Sequence, residues 1–329
     1  MNIFPQIRMR RNKQRNIRHL TEQEYPSPQK FIWPVFVIEG SKIIKPIESL
    51  PGQFYYSVDV LAKEVNMVCD TTGIGGVMIF GVIENKLRDD KGAYSFNKEG
   101  LAQRAIRELR NKIPNLTIFG DIGLTGYTKS GHAQIIKNNK FDNDESLEII
   151  KKISISHANA GATGVAPSGM IDGQVKEIRN ELDKQNFNDI LILSYSTKFN
   201  SNLYRTFPFD ISATERSALD RGDYLESYRV PKSAIRESLI DEQEGADILI
   251  VKPALFYLDI IQKIAEKTSL PLAAYNVSGE YAMINAMIEK GYAEKSGLVK
   301  ESLCSIYRAG ADIIISYWAN QYNDIFKKL

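Results

Sequence analysis

Two cysteines and three histidines among 329 residues leave little from which to assemble a disulfide framework or a metal centre. Cys69 and Cys304 have no CxxC neighbour and read as packing residues, and with only His19, His132 and His157 available a multi-histidine site has no support. Long hydrophobic runs are missing too. None approaches the roughly 18 residues that span a bilayer, and the first residues carry no signal-peptide core, so no membrane association and a cytoplasmic location are expected. An excess of one charge is also lacking: Lys+Arg 42 against Asp+Glu 40 leaves +2, too balanced for a surface built to hold nucleic acid. No GxGxxG or P-loop follows any strand-like run, and no grouping of serine, base and acid suggests a hydrolase.

Lysines that end buried strands are what the chain does have. Ile248-Leu249-Ile250-Val251 reads as a strand covered on both faces, because a half-exposed strand would alternate polar and apolar residues. Lys252 follows, and Pro253 cannot continue a ladder, so Lys252 marks the strand's end. A lysine among apolar neighbours is costly while charged, which favours the neutral, nucleophilic amine that condenses with carbonyls. Alone, it reads first as a lysine snorkelling to water. Ile190-Leu191-Ile192-Leu193-Ser194-Tyr195-Ser196-Thr197-Lys198 ends a second such strand in another lysine. Two ammonium groups at one sheet edge repel, and each lowers the other's pKa.

From Trp33 a rhythm of short apolar strand and amphipathic helix repeats. Strands are expected at Pro34–Ile38, Gly76–Phe80, Leu116–Asp121, Gly164–Ala166, Ile190–Tyr195, Ile248–Val251, Leu272–Asn276 and Ile313–Tyr317, with helical stretches between them. Parallel strands need helical crossovers, so this alternation points to an α/β fold, a (β/α)8 TIM barrel over residues 31–329, with a doubly wound sheet as the alternative. Residues 1–30 lack hydrophobic periodicity and read as a basic tail or as an extended N-terminal arm. The carboxyl ends of the strands would gather Asp121, Ser168, Lys198, Lys252, Ser278 and Tyr317 around one mouth. The long polar segment Phe207–Arg229 reads as a lid, with Arg221 and Arg229 as candidate carboxylate clamps.

The chain resembles the δ-aminolevulinic acid dehydratase (porphobilinogen synthase) family over nearly its whole length. The resemblance is carried by Arg8-Met9-Arg10-Arg11-Asn12, Pro34-Val35-Phe36-Val37-Ile38-Glu39-Gly40, Val165-Ala166-Pro167-Ser168, Ser194-Tyr195-Ser196-Thr197-Lys198, Val251-Lys252-Pro253-Ala254-Leu255, Val277-Ser278-Gly279-Glu280-Tyr281-Ala282-Met283 and Arg308-Ala309-Gly310-Ala311-Asp312. It implies a (β/α)8 barrel whose arm wraps a neighbour in a homo-oligomer, usually an octamer. It also implies a lyase that condenses two molecules of 5-aminolevulinate to porphobilinogen in tetrapyrrole (haem) biosynthesis. Lys252 matches the lysine that forms a Schiff base with the substrate contributing the propionate side, and Lys198 the second lysine of the site. Ser278 and Tyr317 match hydroxyls that hold that substrate's carboxylate, Asp121 and Ser168 match polar groups of the site, and Arg221 matches a lid arginine for the other carboxylate.

The sequence departs from the family at the loop Asp121–Gln134. Zinc-type members carry cysteines at the positions of Gly123, Thr125 and Ala133, and others place aspartates at the last two. Glycine and alanine offer no ligand and a lone threonine is a poor one. No catalytic metal is expected, with Lys129 or ordered water in its role. A structural Mg2+ is left open, with no residue pattern to support one. Gly169 stands where the family has aspartate, Leu225 where it has glutamine, and Lys232 where it has a second lid arginine, so Lys232 is the expected second carboxylate partner. These changes leave two further readings open: a Schiff-base enzyme acting on another keto acid, and a non-catalytic scaffold or sensor.

Overall fold

The computed structural model describes residues 10–205 and 219–327. Arg8 and Met9 of the basic motif and much of the segment between Phe207 and Arg229 therefore lie outside the described residues.

Eight parallel strands close on themselves. They are β1 (Phe31–Ile38), β2 (Gly76–Val82), β3 (Thr117–Ile122), β4 (Gly164–Pro167), β5 (Leu191–Lys198), β6 (Ile248–Lys252), β7 (Leu272–Asn276) and β8 (Ile313–Ser316). Each pairs with the next, and Phe31 and Ile32 of β1 pair with Ile314 and Ile315 of β8 to seal the ring. The (β/α)8 barrel expected from the alternation is thus the observed fold. Closure removes the edges that a doubly wound sheet would leave.

The crossovers are α1 (Val58–Thr72), α2 (Leu101–Lys112), α3 (Asn143–Ala160), α4 (Gln174–Lys184), α5 (Pro231–Glu244), α6 (Leu258–Ala265), α7 (Ser278–Glu289) and α8 (Lys295–Arg308). Their apolar stripes explain the placement. In α2, Leu101, Ala102, Ala105, Ile106 and Leu109 are buried at three-to-four spacing while the arginines between them face outward. Where glycine ends α1 and α3, Gly73 and Gly161 adopt the left-handed conformation that stops a helix cheaply. Two short strands, Ile44–Pro46 and Phe54–Ser57, extend the sheet beside β1.

Residues 13–25 are exposed throughout, and the chain first becomes buried at Pro26, whose carbonyl accepts the Tyr322 hydroxyl at 3.0 Å. Among the described residues no helix is long and apolar enough to cross a membrane.

Candidate active site

The two lysines meet because β5 and β6 are neighbours. β5 runs on past the expected Tyr195 to Lys198 itself, and a register shift between Leu249 and Val251 brings Lys252 directly opposite Lys198. The Lys252 amine lies 4.7 Å from the ring centre of Tyr275, 5.0 Å from that of Tyr204 and 5.3 Å from that of Tyr195. Lys198 shares the Tyr195 ring at 5.8 Å and donates to the Ser168 carbonyl at 2.7 Å. Tyrosine faces stabilise an ammonium by about 0.5–2 kcal/mol each while excluding water.

Asp121, at the end of β3, supplies the local negative charge. Burial pushes its carboxyl up to about 6, opposed by Lys198, then Lys252, then a hydrogen bond from Ser168. Its Oδ1 is buried and has no hydrogen-bond partner among the described residues. Across the cavity, the Tyr275 and Tyr317 hydroxyls lie 3.4 Å apart, and Ser278 is the buried first residue of α7. Phe36 stacks on Tyr317 and Phe80, at 6.1 and 5.6 Å between ring centres, and closes the floor. Burial keeps the Tyr195 and Tyr275 phenols well above their ordinary range, so both are neutral hydrogen-bonding groups.

All of these groups except Tyr195 line one cavity of about 130 Å3 that also takes in Arg221, Tyr224 and Leu225. Arg221 opens a short helical turn, Arg221–Asp223, and its guanidinium donates to the Gly131 carbonyl at 3.4 Å. Beyond it, Tyr224 meets His132 Nδ1 at 3.3 Å. Glu226 pairs with the end of β5, its N–H donating to Lys198 O at 3.0 Å and its carbonyl accepting Asn200 N–H at 2.8 Å. The returning lid is thereby stitched to the strand that carries Lys198.

Asp121, Ser168, Lys198, Lys252, Arg221, Ser278 and Tyr317 are brought together, and Lys232 is not. Pro231 starts α5, so Lys232 occupies an exposed first turn and lines a separate surface depression with Ile235 and Arg236. Arg229 and Lys129 are likewise exposed and outside the cavity. Sequence reasoning missed the tyrosine rings. Tyr195 and Tyr275 interrupt otherwise aliphatic or small-residue strands, and that interruption was the available signal.

The loop after β3 is closely packed at Gly123. A β-carbon at Gly123 would stand 2.5 Å from Ser168 Oγ and 3.0 Å from Asp121 Oδ2, so a ligand side chain there would displace both. Among the described residues no three His, Cys, Asp or Glu side chains are grouped to hold an ion. His132, buried against Phe141 and Tyr224, has its imidazole pushed down by burial and by Arg221.

A pair of amines in a tyrosine-lined mouth of a closed (β/α)8 barrel defines the class, a barrel enzyme equipped for carbonyl chemistry on lysine. The particular family follows from comparison with known proteins. The family model described as delta-aminolevulinic acid dehydratase matches residues 6–325. Delta-aminolevulinic acid dehydratase of Chlamydia pneumoniae is 45% identical over 313 residues, covering 95% of this chain and 94% of that protein. The protein of the same name from Archaeoglobus fulgidus is 42% identical over 318 residues, covering 97% of each. The crystal structure of delta-aminolevulinic acid dehydratase (porphobilinogen synthase) from Toxoplasma gondii ME49, in complex with its reaction product porphobilinogen, superposes with a TM-score of 0.92 at 37% identity, covering 97% of this chain and 91% of that one. The chain belongs to the delta-aminolevulinic acid dehydratase family and is a hydro-lyase of that type.

Proposed function

We propose that the chain joins two molecules of 5-aminolevulinate into porphobilinogen with loss of two waters, using Lys252 and Lys198 as Schiff-base lysines and no catalytic metal. The observation that carries this reading is the in-register pairing of Lys252 with Lys198 inside one cavity. The Lys252 amine attacks the ketone of the first substrate and expels water, and the resulting iminium withdraws electrons so that the neighbouring carbon can be deprotonated and form the new bond. Ser278 and Tyr317, with the N-terminus of α7, suit the carboxylate of that molecule. Arg221 suits the carboxylate of the second, with Asp121 and Ser168 managing protons and hydrogen bonds between them. The donor chemistry of Gly123, Thr125 and Ala133 supports metal independence.

The exposed, basic stretch before Pro26 supports residues 1–30 as an arm on a neighbouring copy of the chain, with residues 31–329 as the catalytic barrel. The homo-oligomer, octameric in this reading, works in the cytoplasm. Leu225, buried in the cavity wall where the family has glutamine, favours one second reading, a Schiff-base enzyme for a different partner carbonyl.

The test is porphobilinogen formation from 5-aminolevulinate by exhaustively chelated protein, followed by its colour with an aldehyde reagent. Steady product without metal is expected. Product only after adding Zn2+ or Mg2+ would overturn metal independence, and no product under any condition would overturn the synthase reading.

A further inference from the structure

Glu280 is completely buried, and its carboxylate ties two loops of the mouth together. Oε1 accepts the backbone N–H groups of Ala254 and Leu255 at 3.0 and 2.7 Å. Oε2 accepts the Val277 N–H at 3.0 Å and the Asn276 side-chain amide at 2.9 Å. Four donors fill the acceptor capacity of a carboxylate and leave no room for a donor in its place. Ala254 and Leu255 follow Lys252-Pro253 at the end of β6, and Val277 immediately precedes Ser278 at the start of α7. Glu280 does not itself line the cavity.

We propose that Glu280 is a positioning residue for the lysine chemistry, holding the Lys252 loop and the Ser278 loop at the spacing that a keto acid requires. A keto acid with its carbonyl on Lys252 and its carboxylate at Ser278 and Tyr317 spans these two loops, so their separation decides whether both ends engage at once. The inference rests on the proposed function only in assigning Lys252 and Ser278 to one substrate. Carboxylate geometry suits the task, since two oxygens on one rigid plane each take two N–H groups. Burial raises this carboxyl to about 7 while the four donors pull it down, consistent with a group retained for its anionic form at a cost in solvation. An amide in its place would point N–H2 at N–H on one side and release that loop.

The test uses the full chain and levulinic acid, a keto acid without the amine, trapped on the protein by borohydride and counted by intact mass. In Glu280→Gln the levulinic acid concentration that half-saturates trapping is expected to rise about tenfold or more, the usual consequence of breaking hydrogen bonds to a buried charge. Asn276→Ala removes one of the four donors and is expected to give a smaller rise, about threefold, which keeps the idea testable if Glu280→Gln does not fold. Gln103→Leu controls for lost stability, because it breaks buried hydrogen bonds to Ser95 and Ser156 on the α2–α3 side of the barrel. Folded Glu280→Gln that saturates like wild type would overturn the inference, as would an equal rise in Gln103→Leu or a wild-type chain that traps no adduct. A wild-type chain that traps the adduct but makes no porphobilinogen would sink the synthase reading and leave this result standing.

Discussion

Lys198 and Lys252 stand opposite one another across β5 and β6, their amines over the same Tyr195 ring at 5.8 and 5.3 Å. Parallel neighbours lie about 4.8 Å apart, so neither lysine can change its charge without the other responding. The arrangement divides labour between them. Lys252 sits deeper among rings, against Tyr204 and Tyr275 as well as Tyr195, whereas Lys198 is tethered to the Ser168 carbonyl. Lys252→Ala is therefore expected to abolish the borohydride-trapped adduct of a keto acid, and Lys198→Ala to retain it. Both should lower porphobilinogen formation by on the order of 1000-fold, as loss of a covalent catalyst does. Peptide mapping decides: an adduct surviving in Lys252→Ala removes that lysine from its assigned role.

Arg221 lines the same cavity, hydrogen-bonded to Gly131. A guanidinium there suits the second carboxylate and not the first. Arg221→Ala should leave adduct formation on Lys252 intact while lowering turnover about 10- to 100-fold, the cost of losing one charge-assisted contact. Arg221→Lys keeps the charge without the planar fork and should recover only part of that loss. If trapping falls in parallel with turnover, the two carboxylates have been assigned to the wrong walls.

Much of this was legible from the chain alone, because the physics of a parallel barrel writes itself locally. Runs such as Ile248–Val251 are apolar on both faces only when helices cover them, and the polar residue that ends each run falls at one rim. Lys252, Lys198, Ser278 and Tyr317 were found that way, and the resemblance then gave them, and Arg221, their roles. What was not legible depended on register and on turns. The bulge between Leu249 and Val251 that sets Lys252 against Lys198 has no sequence mark. Lys232 was misplaced because a lid residue's direction is set by where Pro231 starts α5, not by its spacing from Arg221. The tie that Glu280 makes between two loops is invisible until β6 and β7 are neighbours.

Gly123 shows how closely the mouth is packed. Its missing side chain leaves room for Ser168 Oγ, 2.5 Å from where a β-carbon would stand, and for Asp121 Oδ2 at 3.0 Å. In Gly123→Ala the serine hydroxyl must rotate away and Asp121 loses its hydrogen bond. Turnover is expected to drop about tenfold with melting behaviour little changed. Ser168→Ala removes the same hydroxyl, so the double variant should be no slower than the worse single one. Additive losses would mean that the two positions act separately.

His157 makes acid stability the last expectation. It lies on α3 behind β3, its ring filling the space that Gly120 leaves, with Nδ1 only 2.2 Å from where a β-carbon on Gly120 would be. Burial pushes the imidazole down to about 4, against a weak upward pull from the Gly120 backbone. A folded-state pKa below the ordinary 6.5 means that the unfolded chain takes up the proton first. Stability is therefore unaffected above about 6.5 and is lost as pH falls from there toward about 4. At pH 5 this one residue should cost about 2 kcal/mol relative to neutral pH. His157→Leu keeps an apolar body of similar bulk without the titrating ring, so its urea midpoint should fall less on acidification than that of the parent. Equal acid losses in the two proteins would place the charge elsewhere and leave His157 as packing alone, a bystander to the strand that presents Asp121.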